Sequence, residues 1–239
     1  MEYTFNTFII GKSNRLAYTA AMEVVANLGN VYNPLFIYGG VGTGKTHLLH
    51  AIGHDVLSKN PQMCVLYVTS EMFVSELIEA VMKGSLDDFR AKYHEADVLM
   101  IDDIQFLSGK ASSQEELLYL LDVFKSVNKQ VVLSSDRLPK KIPKMNEHLL
   151  ARIEGGIIAD IQPPDLEMRI AILRKVAQAD GIVIPDDVIN YIAENIKSNI
   201  YKLKGALSRV ALYASASAEP ITEETAIEAL KNIYIEEER

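Results

Sequence analysis

The sequence predicts an α/β fold, a parallel sheet flanked by helices, with a small C-terminal helical lid. Three observations predict it. Five short apolar runs alternate with helix-length periodic segments, the order expected of an α/β domain. The runs are continuously apolar, as strands covered on both faces tend to be. Beyond Pro163-Pro164 no strand run remains, only helical periodicity.

The first strand is Leu35-Phe36-Ile37-Tyr38, closed by glycines, and a helical pattern runs from His47 to Leu57. Cys64-Val65-Leu66-Tyr67-Val68 is the second strand, and residues 72–82 carry Met and Leu at the spacing of a helix face. Val98-Leu99-Met100-Ile101 is the third strand. Glu115 to Val127 follows as a helix, with Leu117, Leu118, Leu121 and Phe124 on one side. Val131-Val132-Leu133 is the fourth strand, a short helix ends near Arg152, and residues 157–161 form the fifth strand. Asp165 caps a helix over Leu166 to Ala179 that Gly181 ends. Pro185-Asp186-Asp187 opens another, to about Ile196, with proline at its first position. Ser198 or Asn199 caps a third, to about Ala216, and Thr222 with Thr225 starts a fourth, to about Ile235. The expected division is a core over residues 1–163 and a lid over residues 164–239.

Composition narrows the function. The 239 residues carry 24 basic and 32 acidic side chains, a net charge of −8. That argues against a hold on nucleic acid by bulk charge and leaves room for a local basic patch. A single cysteine, Cys64, excludes a disulfide framework and a multi-cysteine zinc site and fits a reducing compartment. No apolar run approaches the ~18 residues a membrane helix needs. The first residues, Met1-Glu2-Tyr3-Thr4-Phe5, lack a basic stretch followed by an apolar one, so a cytoplasmic location is expected. The final Glu236-Glu237-Glu238-Arg239 reads as a charged helix end or a cut point.

Residues 39–46 read GGVGTGKT and match G-x-x-x-x-G-K-[ST] through Gly39, Gly44, Lys45 and Thr46. A strand precedes the motif and a helix follows it, the context a phosphate-binding loop needs. Glycines let successive N–H groups point at phosphate oxygens, and the helix N-terminus adds its positive dipole end. Gly40, Val41, Gly42, Thr43 and Gly44, with Lys45, Thr46 and the adjoining His47, are the expected nucleotide contacts. Lys45 would place a charge on the β- and γ-phosphates, and Thr46 a hydroxyl on Mg²⁺. Asp102-Asp103 end the third strand, where ligands of open α/β sheets bind. Asp102 would hold Mg²⁺, through water, and Asp103 would orient the attacking water. The fourth strand ends in Ser134-Ser135-Asp136-Arg137, either a polar turn or the source of a polar residue beside the γ-phosphate. Arg152 is either a surface charge or a finger reaching a neighbour's site.

The joined pattern resembles the AAA+ ATPases and, within them, the DnaA family of bacterial replication initiators. The stretches that carry the likeness are YNPLFIYGGVGTGKTHLLHAIG, IDDIQFLSGK, Ser135-Asp136-Arg137 and Ala159 to Glu167. The resemblance implies an AAA+ P-loop core and lid, binding ATP or ADP with Mg²⁺. It also implies slow hydrolysis and ATP-dependent assembly into a filament on origin DNA. Ile10, Gly11 and Asn14 would flank the adenine, Asp136 would be the polar residue beside the γ-phosphate, Arg152 would be the arginine finger, and Ile78 and Lys110 would grip single-stranded DNA. Tyr201 stands where the family's lid carries an arginine, and Ser112 where the DNA-gripping surface carries another. His148 and Ile153 also depart from the pattern. The family's N-terminal partner-binding and C-terminal DNA-binding domains are not matched, so recognition of duplex origin boxes is not expected. Two alternatives are a nucleotide-gated regulator or helicase-loader-like relative and, from the phosphate loop alone, an unrelated P-loop enzyme such as a small-molecule kinase.

Overall fold

A computed structural model describes residues 3–234, with side chains placed through Lys231. Its five strands are β1 (Leu35–Tyr38), β2 (Val65–Thr69), β3 (Val98–Asp102), β4 (Gln130–Ser135) and β5 (Ile157–Asp160). They form one parallel sheet in the order β2-β3-β4-β1-β5. The core's helices are α1 (Arg15–Ala26), α2 (Lys45–Lys59), α3 (Ser70–Lys83), α4 (Leu86–Glu95), α5 (Ala111–Ser126) and α6 (Glu147–Glu154). The C-terminal helices are α7 (Leu166–Asp180), α8 (Asp186–Asn195), α9 (Ile200–Ser217) and α10 (Glu223–Tyr234).

Strand side chains alternate between faces, and the sheet uses both. Phe36, Leu99, Ile101 and Leu133 point to one face, where they pack with Phe73, Tyr93, Leu117 and Phe124 of α3, α4 and α5. Ile37, Met100 and Val132 point to the other, against Val24 of α1 and Leu48 and Ile52 of α2. A third apolar cluster joins α7 to α10 and takes in Ile9 from the N-terminal segment. The register pairs Tyr38 with Ser135 and Thr69 with Asp102. The phosphate loop, Asp102 and the end of β4 therefore meet at the C-terminal ends of the three inner strands.

All five apolar runs form strands, with ends moved by a residue or two. Cys64 stays outside β2, and β4 gains residues at both ends. The helix after the loop begins at Lys45 rather than His47 because Gly44, at φ 108°, turns the chain directly into it. Asp165 caps α7 through its bond from Met168 N–H at 2.9 Å, and Asn199 rather than Ser198 caps α9 through Lys202 N–H at 2.8 Å. Pro185 is the N-cap of α8, one residue before its expected first position. Thr222 and Thr225 exchange bonds across the first turn of α10, whose expected end at Ile235 lies outside the described residues. Helices α1 and α4 were not anticipated.

Candidate nucleotide-binding site

The loop after β1 bends through two left-handed glycines, Gly42 at φ 72° and Gly44 at φ 108°. Both are also crowded. A Cβ on Gly42 would meet Asn199 and Tyr201 at 2.9 Å, and one on Gly44 would meet the Phe8 ring at 3.3 Å. Thr43 Oγ1 donates to Gly40 O at 2.9 Å and pins the turn. Lys45 is only 7% exposed, and its ammonium donates to Gly39 O at 2.9 Å and Gly40 O at 3.1 Å. One buried cation thus sits at the centre of a curved backbone whose following helix points its N-terminus at the same space.

Asp102 is 2% exposed and held by three hydroxyls from three elements. Thr46 Oγ1 of α2 donates to its Oδ2 at 2.7 Å, Tyr67 OH of β2 donates to Oδ2 at 2.9 Å, and Ser134 of β4 donates to Oδ1. A buried carboxylate is costly unless it is hydrogen-bonded, so these donors hold the charge in place. Burial, and then the charge of Asp102, push the Tyr67 phenol well above its ordinary value, so it remains a donor at neutral pH. We expect Tyr67→Phe to destabilise the protein by about 1.5–3 kcal/mol, the worth of a hydrogen bond to a charged group. Chemical denaturation reads this, and an unchanged midpoint would mean that the phenol does not support Asp102.

The Thr46 hydroxyl and the Asp102 carboxylate are hard oxygen donors in contact, a set that fits Mg²⁺ held by few protein ligands with water and substrate phosphates. Among the described residues no group of three or more His, Cys, Asp or Glu side chains could hold a metal by itself.

Asp103 adopts φ 59°, and its carboxylate accepts from Gln105 Nε2 at 2.9 Å. Gln105 Oε1 in turn accepts Asp136 N–H at 3.2 Å, so Gln105 links the two acidic positions. The Asp136 carboxylate forks with its neighbour Arg137 at 2.7 Å on each arm, and this contact holds it below the usual carboxylate range. The Asp136 carboxylate is therefore half of an ion pair.

A cleft of about 510 Å³ joins these parts. Val41, Gly42, Thr43, Gly44, Lys45 and Thr46 line it, together with Asp103 and Asp136. Phe8, Ile9 and Asn14 line it from the N-terminal segment, and Tyr201 and Lys204 from α9. Asn14 folds its segment by donating to Ile9 O and accepting from Gly11 N–H, both at 2.9 Å. Ile10, 46% exposed, and Gly11, packed on Met168, stand outside the cleft wall. His47 lines the cleft, but its Nε2 donates to Thr4 O at 2.9 Å and lies 3.2 Å from Thr7 Oγ1. Its ring thus holds the N-terminal segment, a structural task not foreseen for a nucleotide contact. Burial lowers its pKa, so the ring stays neutral at pH 7.

Arg152 is not in the cleft. It pairs with Asp122 at 2.6 Å, beside a second hollow that His148 also lines. Ile78 on α3 and Lys110 before α5 are exposed and apart from the cleft. The sequence reading did not find Tyr67, Gln105 or Lys204. Tyr67 lies within an apolar strand run. The spacing of Lys204, three residues after Tyr201, was the available signal for a shared helix face.

A family model described as the bacterial DnaA ATPase domain matches residues 1–160. The chain belongs to the bacterial DnaA family. It is 55% identical over 97% of its length to the chromosomal replication initiator protein DnaA of Symbiobacterium thermophilum, covering 51% of that protein. Domain III of the Thermotoga maritima replication initiation protein DnaA superposes with a TM-score of 0.92 at 41% identity, covering 96% of both chains. A structure of replication initiator DnaA bound to AMPPCP and single-stranded DNA matches at a TM-score of 0.80 and 33% identity, covering 95% of this chain and 79% of that one. The chain spans about half the length of the curated DnaA relatives it matches. Within the DnaA ATPase domain, the glycine loop, Lys45 and the Thr46–Asp102 contact occupy the ends of the parallel strands, where α/β folds bind ligands.

Proposed function

We propose that this chain is the ATP-binding module of a DnaA-type replication initiator, in which ATP acts chiefly as an assembly switch and is hydrolysed slowly. One observation carries the reading: Lys45 buried inside the glycine loop, with Thr46 bonded to Asp102 beside it. Residues 1–163 would be the nucleotide-binding core and residues 164–239 the lid. Lys45 would bind the β- and γ-phosphates, and Thr46 and Asp102 would hold Mg²⁺, which when bound neutralises phosphate charge. Asp103, fixed by Gln105, would orient the attacking water, and Asp136 would report on the γ-phosphate through its pairing with Arg137. Phe8, Ile9 and Asn14, which line the cleft, would flank the base.

Assembly would place Arg152 in the site of an adjacent copy and turn Ile78 and Lys110 toward single-stranded or origin DNA. The nucleotide- and DNA-bound relative supports this reading. No described helix is long and apolar enough to cross a membrane, and we place the protein in the cytoplasm with replication regulators or a helicase loader as partners. A second reading, a nucleotide-gated regulator without origin-melting activity, is favoured by Tyr201, Ser112 and His148 at positions where the resemblance leads one to expect arginine.

Sizing separates the two. With Mg·AMPPCP and oligo-dT the chain should shift from monomer to a higher assembly, and with ADP it should not. Monomer under every condition would remove the initiator reading from this chain and leave the regulator.

A further inference from the structure

We infer that Lys204 is a specificity-determining residue of the nucleotide cleft: a cation, carried by the C-terminal helices, that contacts the terminal phosphate of a nucleoside triphosphate. The inference rests on the nucleotide-binding reading and refines it.

Helix α9 is docked on the phosphate loop. Ile200 N–H donates to Gly42 O at 3.1 Å, and Asn199 and Tyr201 leave no room for a side chain at Gly42. Residues three apart share a helix face, so Lys204 follows Tyr201 along the cleft. It is partly buried and lines the cleft, as Tyr201, Lys45 and Thr46 do. The anchor of Ile200 on Gly42 sets this part of α9 on the phosphate-loop side of the cleft. Lys204 therefore serves the phosphate-loop end of the cleft.

The other cations of the wall are engaged elsewhere. Arg137 is forked with Asp136, and Lys175 donates to Asn6 O at 3.3 Å on the N-terminal segment. Of the carboxylates facing the cleft, Asp103 accepts from Gln105 and Asp136 from Arg137. Among the described residues no ion pair engages Lys204. Tyr201 brings no cation, and burial raises its phenol pKa, so it stays uncharged at neutral pH. A terminal phosphate brings more negative charge than the single Lys45 ammonium offsets, and a second ammonium nearby stabilises it more strongly away from bulk water. Lys204 is the side chain of α9 placed to do so.

The test is calorimetric titration of the chain with Mg·AMPPCP, Mg·ADP and AMP. Lys204→Met should weaken AMPPCP about tenfold, one decade or about 1.4 kcal/mol, weaken ADP much less and leave AMP unchanged. Lys204→Arg should restore the preference, as should Tyr201→Arg placed in the Lys204→Met background. Equal loss for AMPPCP and ADP, or no loss, would overturn the role of Lys204 while leaving the site intact. Wild-type chain that binds none of the three would instead sink the nucleotide reading and this inference with it. Should Lys204→Met fold poorly by its melting curve, Lys204→Gln takes its place under the same criteria.

Discussion

Lys45→Ala should abolish measurable nucleotide affinity, a loss of at least about 100-fold, or about 2.7 kcal/mol. The magnitude follows from where the charge sits. Lys45 is only 7% exposed, and its ammonium donates to two loop carbonyls at 2.9 and 3.1 Å. Charge-assisted hydrogen bonds contribute about 1.5–3 kcal/mol each, and a triphosphate would take more than one from this group. Calorimetry with Mg·AMPPCP measures the loss, with a melting curve to show that the variant is folded. Retained affinity in a folded variant would mean that backbone amides alone hold the phosphates and that Lys45 serves the loop.

Arg152→Ala should leave nucleotide binding by dilute monomer unchanged and lower hydrolysis in the assembled state by about 10³-fold or more, the range for a finger supplied by a neighbour. The structure sharpens the contrast. Arg152 and Asp122 are each about half exposed, so their pairing contributes little to stability, about 0–1 kcal/mol. The variant should therefore melt near the wild-type temperature. Turnover measured across protein concentration, above and below assembly, checks the prediction. If dilute monomer loses ATP affinity as well, Arg152 acts on its own chain's nucleotide.

The phosphate loop was legible in the sequence because its chemistry is local: glycines at left-handed positions, a lysine and a threonine at fixed spacing. The strands were legible because each is a short apolar run between turn residues. Helix α1 was missed because its buried face is built mainly from small residues, Ala17, Ala20 and Ala21, which stand out weakly. Helix α4 was missed because only Phe89 and Tyr93 are buried in an otherwise polar stretch. What could not be read is what tertiary structure brings together. Tyr67 and Ser134 lie 35 and 32 residues from Asp102 and reach it only through the order of β2, β3 and β4. Lys204 reaches the cleft only because Ile200 anchors α9 to Gly42. The pairings of Asp136 with Arg137 and of His47 with Thr4 redirect side chains whose positions the motifs had marked for the ligand.

The central claim is that the turn between β1 and α2 grips a nucleotide. Calorimetric titration of the wild-type chain with Mg·AMPPCP tests it most directly. A saturable isotherm with one site per chain is the predicted result; no heat up to millimolar ligand, from a chain shown to be folded, would contradict it.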